Sequence, residues 1–220
     1  AAIVPPSAQP PDDVTDPIDS FLNAARIARG LSGNAAANRA TLIRRISFDL
    51  TGLPPTPAEL DEFMNDPAAD AVSRLIDRYL ASPHYGERWG KHWLDAAGYA
   101  DSNGYFNADT DRPLAYRYRD YVIRAFNQDK PYDRFVQEQL AGDELASFTS
   151  TSDVVGETLE LLTATHFFRN APDGSGESDG NPDEVRIDRY TVLEGNLQNT
   201  FNCLLGLTIQ CTRCHSHKFE

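Results

Sequence analysis

The sequence has no apolar run approaching the roughly 20 residues that a membrane-spanning helix needs, which excludes insertion into a bilayer as a helix. It is also short of positive charge: 20 Lys and Arg stand against 33 Asp and Glu, a formal charge of -13. That excess repels phosphate backbones and anionic lipid, so nucleic acid is not an expected partner. Cysteine is scarce. There are three, an odd number, and two of them lie three residues apart, which excludes a disulfide framework as the basis of the fold. Strict alternation of apolar and polar residues is missing, so no substantial sheet is expected, and no internal repeat is visible. The first residues, Ala1-Ala-Ile-Val-Pro-Pro, lack the basic-then-apolar order of a signal peptide.

What the chain does have is helical periodicity. At 220 residues with 40% apolar content it can bury a real core. Residues 1–15 are rich in Pro and carry no periodic face, so they read as a linker or extended arm. Residues 16–220 read as a single all-α domain of about eight helices with long loops. Pro17 opens the first helix, and Gly30 stops it. Asn38 to Leu50 is the second, broken by Thr51-Gly-Leu-Pro-Pro-Thr-Pro. Thr56, Pro57 and Glu59 spell a capping box for the third, which ends near Asp66. Ala69 to Leu80 follows, and then Ser82-Pro83 opens an aromatic helix with His84, Trp89, His92, Trp93 and Tyr99, the expected packing centre. Further helices are expected from Leu114 to Phe126, from Pro131 to a stop at Gly142, within Val154 to Phe168, and from Asp183 to Leu205. Asn170 to Pro182 has the composition of a mobile loop.

The last ten residues carry Cys211, Cys214 and His215 in the order C-x-x-C-H. Each position has a task in covalent haem attachment: two thiols add to the porphyrin vinyl groups, and the adjacent imidazole reaches the iron as proximal ligand. Haem c is therefore the expected cofactor, with electron transfer as the expected function. Such attachment implies export to the periplasm or cell envelope. His217, His92 and His84 are candidates for a distal ligand, with His166 a further histidine to weigh. His84 and His92 sit among aromatic residues, where a hydrogen-bonded core histidine is equally ordinary. Zinc is the alternative cofactor, held by Cys203, Cys211, Cys214 and either His215 or His217 in an interaction domain. A redox dithiol would use C-x-x-C alone, without the βαβ surroundings usual for one.

Several blocks carry a family resemblance. Arg44-Arg-Ile-Ser-Phe-Asp-Leu-Thr-Gly-Leu-Pro-Pro-Thr-Pro57, Ser82-Pro-His-Tyr-Gly-Glu-Arg-Trp89 and His92-Trp-Leu-Asp95 are three of them. Tyr99-Ala-Asp-Ser102, Tyr118 to Asn127, Lys130-Pro-Tyr-Asp-Arg-Phe135, Glu138 to Asp143, Gly206-Leu-Thr208 and the segment from Cys211 to Phe219 continue the series. Together, from about Ile18 to the last residue, they resemble the second of the planctomycete cytochrome-associated domains, a family of unknown function. The resemblance implies a domain within a long exported protein, with neighbouring domains of the same chain or a redox partner protein as its partners. In that family the histidine block runs on through Asp-Pro, so this chain, ending at Glu220, is expected to be a piece of a longer protein. Gly98 stands where the family usually has Arg, and His166 where an apolar residue is usual. The latter implies that His166 is not a shared ligand.

Two other constellations remain. Asp101 to Asp111 places oxygen ligands at short intervals, yet it lacks the glycine and closing glutamate of an EF-hand, so a self-capping turn is the simpler reading. Arg112, Arg117 and Arg119 with Asp109, Asp111 and Asp120 read as ion pairs. Glu87, His92, Asp95, Asp101 and Asp143 could line a polar pocket near the metal in a haem- or metal-dependent enzyme of unknown substrate. Against that stands a purely structural use, in which Glu87-Arg88 and Asp133-Arg134 tie helices together.

Overall fold

Proline stands at the first position of several helices, where its missing N–H is harmless because first-turn donors have no intrahelical acceptor. The computed structural model describes residues 17–105, 108–149, 153–174 and 180–218. Those residues form nine α-helices, one on each stretch where helical spacing is expected, and their only sheet-like feature is one isolated antiparallel bridge, Ser102 with Asp111. The class is all-α, as expected. The expected N-terminal arm lies outside the described residues.

The chain divides into two units, residues 1–42 and 43–220. In the first, α1 (Pro17–Ile27) carries Ile18, Phe21, Leu22 and Ile27 exposed. The next helix, α2 (Arg39–Thr51), starts in this unit, where Asn38 accepts the Thr41 N–H at 2.8 Å.

In the second unit, α3 (Pro57–Asn65) shows both arms of the capping box read from Thr56 and Glu59. Arg78 of α4 (Ala71–Leu80) grips Glu62 of α3 through two bonds of 2.6 and 2.7 Å. The aromatic helix, α5 (Pro83–Ala96), packs against α6 (Tyr116–Asn127). At their crossing a Cβ on Gly86 would lie 2.3 Å from the Ile123 carbonyl oxygen, so only glycine permits this approach.

The expected stop at Gly142 falls at a break inside α7 (Tyr132–Leu145): Ala141 (φ -144°, ψ 29°) is not helical, and a second short helical stretch resumes after it. A Cβ on Gly142 would lie 2.1 Å from the Leu161 carbonyl oxygen, so the residue serves the crossing with α8 (Gly156–Ala164). A 3-10 turn, Thr165–Arg169, follows, and α9 (Pro182–Leu205) completes the series.

The core is aromatic. Leu94 and Ala97 meet Tyr118, Tyr121, Val122, Phe135 and Phe167, with Trp93 packed against them. Full burial of each large apolar side chain contributes on the order of 1.5–3 kcal/mol. The polar atoms of these rings are satisfied internally. Gln139 Oε1 accepts from Trp93 Nε1 at 2.9 Å and from the Tyr118 hydroxyl at 2.5 Å. A second buried knot surrounds Glu138. Its Oε2 accepts from Lys130 Nζ (2.5 Å) and the Tyr121 hydroxyl (2.8 Å), and its Oε1 from Arg134 Nε (2.8 Å). Burial raises the Glu138 pKa, but the hydrogen bonds from Lys130, Tyr121 and Arg134 outweigh it and leave the value lowered. Arg134 pairs with Glu138 within its own helix and also reaches Glu157 of α8 at 3.9 Å, a tie between helices.

Two loops pack where mobility or a cation could be expected. In the Asp101 to Asp111 segment, Asn103 Oδ1 accepts the Tyr105 N–H (2.9 Å) and Asp109 accepts the Gly104 N–H (2.9 Å), a self-capping turn. Asn170, Ala171 and Asp173, assigned above to a mobile loop, are buried, and Asp173 N–H donates to Asn103 O at 2.9 Å. Residues 175–179 of that segment lie outside the described residues.

Candidate metal centre

The C-x-x-C-H segment is delivered by α9. Asn181 caps the helix through Asp183 N–H (3.1 Å), and Asp183 and Glu184 in the first turn complement its dipole. Gly206, at φ 63°, ends it in the left-handed region, where a side chain would be strained. A short 3-10 turn, Gln210–Arg213, then folds the motif on itself. Cys214 N–H and His215 N–H both donate to the Cys211 carbonyl, at 3.2 and 3.3 Å.

Cys211, Cys214 and His215 are all exposed. The His215 ring Nδ1 lies 2.7 Å from the Ser216 carbonyl oxygen. A carbonyl only accepts, so Nδ1 carries the proton and the neutral ring's Nε2 holds a lone pair. His217 is half-buried, with Nε2 3.3 Å from the Thr208 carbonyl. Arg213 reaches Glu194 at 3.4 Å and ties the turn to α9. Between them lies a cleft of about 90 Å³ whose apolar walls are Leu197 and Ile209.

The faces of α9 are reversed relative to an ordinary surface helix. Tyr190, Leu193 and Leu197 are exposed, while Asn199 and Cys203 point into the protein. Asn199 Nδ2 donates to Ala97 O at 3.2 Å, and the Cys203 thiol donates to Ala96 O at 2.8 Å. Burial raises the Cys203 pKa to about 11. A zinc ligand must be a thiolate, and the structure places Cys203 apart from the other two cysteines. Among the described residues no group of three or more His, Cys, Asp and Glu side chains is arranged to hold a metal ion. The four-ligand zinc set is accordingly not assembled.

The remaining candidates are dispersed. His84 and His92 are exposed on α5 rather than packed in the core. His84 Nδ1 lies 2.7 Å from Glu87, and the His92 ring meets Trp89 edge-on at 5.6 Å. Glu87 thus serves His84, and Asp101 accepts from the Tyr99 hydroxyl at 2.6 Å, so these two of the acidic residues considered for an enzyme pocket are engaged separately. Of the expected arginine pairs, Arg119 with Asp120 forms at 2.8 Å. Arg112 does not pair with Asp109 or Asp111. It turns inward to the Ala171 carbonyl at 3.1 Å, beside His166 and Asn170, a cluster that sequence spacing could not reveal.

His166 stacks on Tyr118 with ring centroids 5.5 Å apart. Burial, and then the charges of Arg112 and Arg169, lower its pKa to about 4.

No described helix is long and apolar enough to cross a membrane. No curated protein and no solved structure matches this chain. A family model does: PSCyt2, described as a protein of unknown function (DUF1549), matches residues 17–220. With all but its first sixteen residues covered, the chain belongs to the PSCyt2 family.

Proposed function

We propose that this chain is a helical carrier of one covalent haem c, attached through Cys211 and Cys214 with His215 as proximal ligand, and that it serves electron transfer within an exported multidomain protein. The observation that carries the reading is the state of His215. Its Nδ1–H is committed to the Ser216 carbonyl, which orients the ring and makes Nε2 the basic nitrogen, as an axial ligand requires. Two exposed, free thiols precede it in the sequence by four residues and by one.

Bound haem would supply one-electron chemistry at its iron. The chain's own contribution begins with the thiols. Each adds across a vinyl double bond: a carbon–sulfur bond forms, and the thiol proton passes to the neighbouring vinyl carbon. No net oxidation occurs, so both cysteines must be reduced beforehand. The His215 imidazole donates its Nε2 lone pair, and the Ser216 carbonyl strengthens that donation by polarising Nδ1–H. Leu197 and Ile209 offer apolar surface beside the motif.

Attachment of this kind takes place after export, which assigns the chain to the periplasm or cell envelope, with neighbouring domains or a redox partner protein receiving the electron. The family resemblance to planctomycete cytochrome-associated domains supports the same reading. Production with an export signal and a haem-attachment system tests it. The expected result is an intact mass raised by one haem, a Soret band that survives denaturation, and loss of both in the Cys211→Ala, Cys214→Ala double variant. A folded, exported sample with reduced thiols and no covalent haem would overturn the proposal.

A further inference from the structure

Three side chains on the inner side of α9, Asn170 buried and Arg112 and His166 half-buried, carry buried polar atoms with no hydrogen-bond partner: Arg112 (Nη1), His166 (Nε2) and Asn170 (Oδ1 and Nδ2). Native structures leave few buried polar groups unsatisfied, so four such atoms in one neighbourhood call for a ligand. The three are neighbours by several links. Arg112 Nη2 donates to Ala171 O, the residue after Asn170. His166 and Asn170 are four residues apart at the end of the 3-10 turn, and the His166 ring lies on Tyr118. Asn170 is 5% exposed. It approaches the Tyr118 hydroxyl without reaching hydrogen-bond geometry, and that hydroxyl donates to Gln139. The backbone of α9 passes over the cluster, since a Cβ on Gly195 would lie 2.6 Å from that of Ala171. Asn196, the next residue, also has a buried, unpartnered Oδ1.

We propose that Arg112, His166 and Asn170 form a binding site for a small monocarboxylate beneath α9. The argument begins with charge. A guanidinium withdrawn from water is costly without a bonded counter-ion, and half-buried Arg112 donates only to two backbone carbonyls, Ala171 O and Asn103 O at 3.5 Å. The nearby carboxylates act on it through space but are bonded elsewhere: Asp173 to Arg169 at 2.9 Å, and Asp109 to Gly104 N–H. The donor set is Arg112 Nη1–H and Asn170 Nδ2–H, with His166 Nε2–H available in one neutral tautomer. These suit the two oxygens of a carboxylate. One guanidinium with no carboxylate bonded to it suits a single negative charge, whereas a phosphate dianion would be left under-neutralised in a chain of formal charge -13. The site does not depend on haem attachment, so the failure of either proposal leaves the other standing.

The test uses the haem-free full chain and the His166 ring protons, assigned with His166→Gln, followed by NMR during titration with sodium acetate at ionic strength held constant with chloride. The expected result is a saturable shift with acetate and none with chloride. Arg112→Gln should weaken acetate binding by about tenfold or more, as loss of a charge-assisted bond does. Asn170→Asp installs a carboxylate beside Arg112, so it should abolish the acetate response while the protein melts no lower than the parent. If Arg112→Gln fails to fold, Asn170→Asp decides. An acetate response equal to that of chloride overturns the proposal, as does parental acetate affinity in Asn170→Asp. Phosphate binding as tight as acetate overturns the assignment to a monoanion.

Discussion

Glu138→Gln tests whether the buried carboxylate between α6 and α7 holds the aromatic core together. The carboxylate has two acceptor oxygens for three donors, and its side chain is 7% exposed. Glutamine keeps the shape but has one acceptor. With its oxygen turned to Lys130 and Tyr121, its NH2 faces Arg134 Nε, donor against donor. Removing one partner of a buried ion pair costs about 3–5 kcal/mol. The low end applies here, because Arg134 is 39% exposed and can turn to water, while Lys130, at 18%, is largely held in place. At about 2–4 °C per kcal/mol for a chain of this size, 3 kcal/mol lowers the melting temperature by roughly 6–12 °C. Thermal melts and urea unfolding near neutral pH read both quantities. The sign of the pH dependence follows from the lowered pKa of Glu138. Its contribution is fully present above the unfolded glutamate value of about 4.3 and is lost as pH falls through the lower folded value. The gap between parent and variant should therefore narrow in acid. A loss under about 1 kcal/mol, the worth of an exposed pair, or a gap that widens in acid, would refute the reasoning.

Three further outcomes are expected. Gly86→Ala should destabilise by about 1–3 kcal/mol through overpacking against Ile123 O, whereas Gly90→Ala, whose added Cβ meets only ordinary contacts from 3.4 Å, should be neutral or gain up to about 1 kcal/mol of helix propensity; chemical denaturation separates them. Cys203→Ala should leave covalent haem attachment intact and cost about 1 kcal/mol for its bond to Ala96 O, so a metal content that falls with this variant would revive the zinc set. His166→Phe should flatten the acid limb of stability. The unfolded histidine protonates near its ordinary value while the folded one stays neutral to about 4, so the parent loses stability as pH falls between those values and the variant should not.

Local chemistry made much of this protein legible in advance. The Thr56 capping box, the proline-opened helices and Gly206 depend on neighbours within a turn or two, and such signals survive in a single sequence. Features that join distant segments were not legible. The aromatic core gathers Tyr118, Tyr121, Phe135 and Phe167 around Leu94, while Trp89 and His92 of α5 stay exposed. Gly142 reads as a stop from its residue type, but its close approach to the Leu161 carbonyl needs the fold. Cys203 counts as a possible ligand by number alone, yet the packing of α9 on α5 turns its thiol to Ala96. Arg112 lies more than fifty residues before His166 and Asn170, and no spacing rule joins them. The sequence by itself determined the helical class and the caps of its helices, because both are local. Only the tertiary structure decided which polar groups are buried together, because that depends on contacts between segments far apart in the chain.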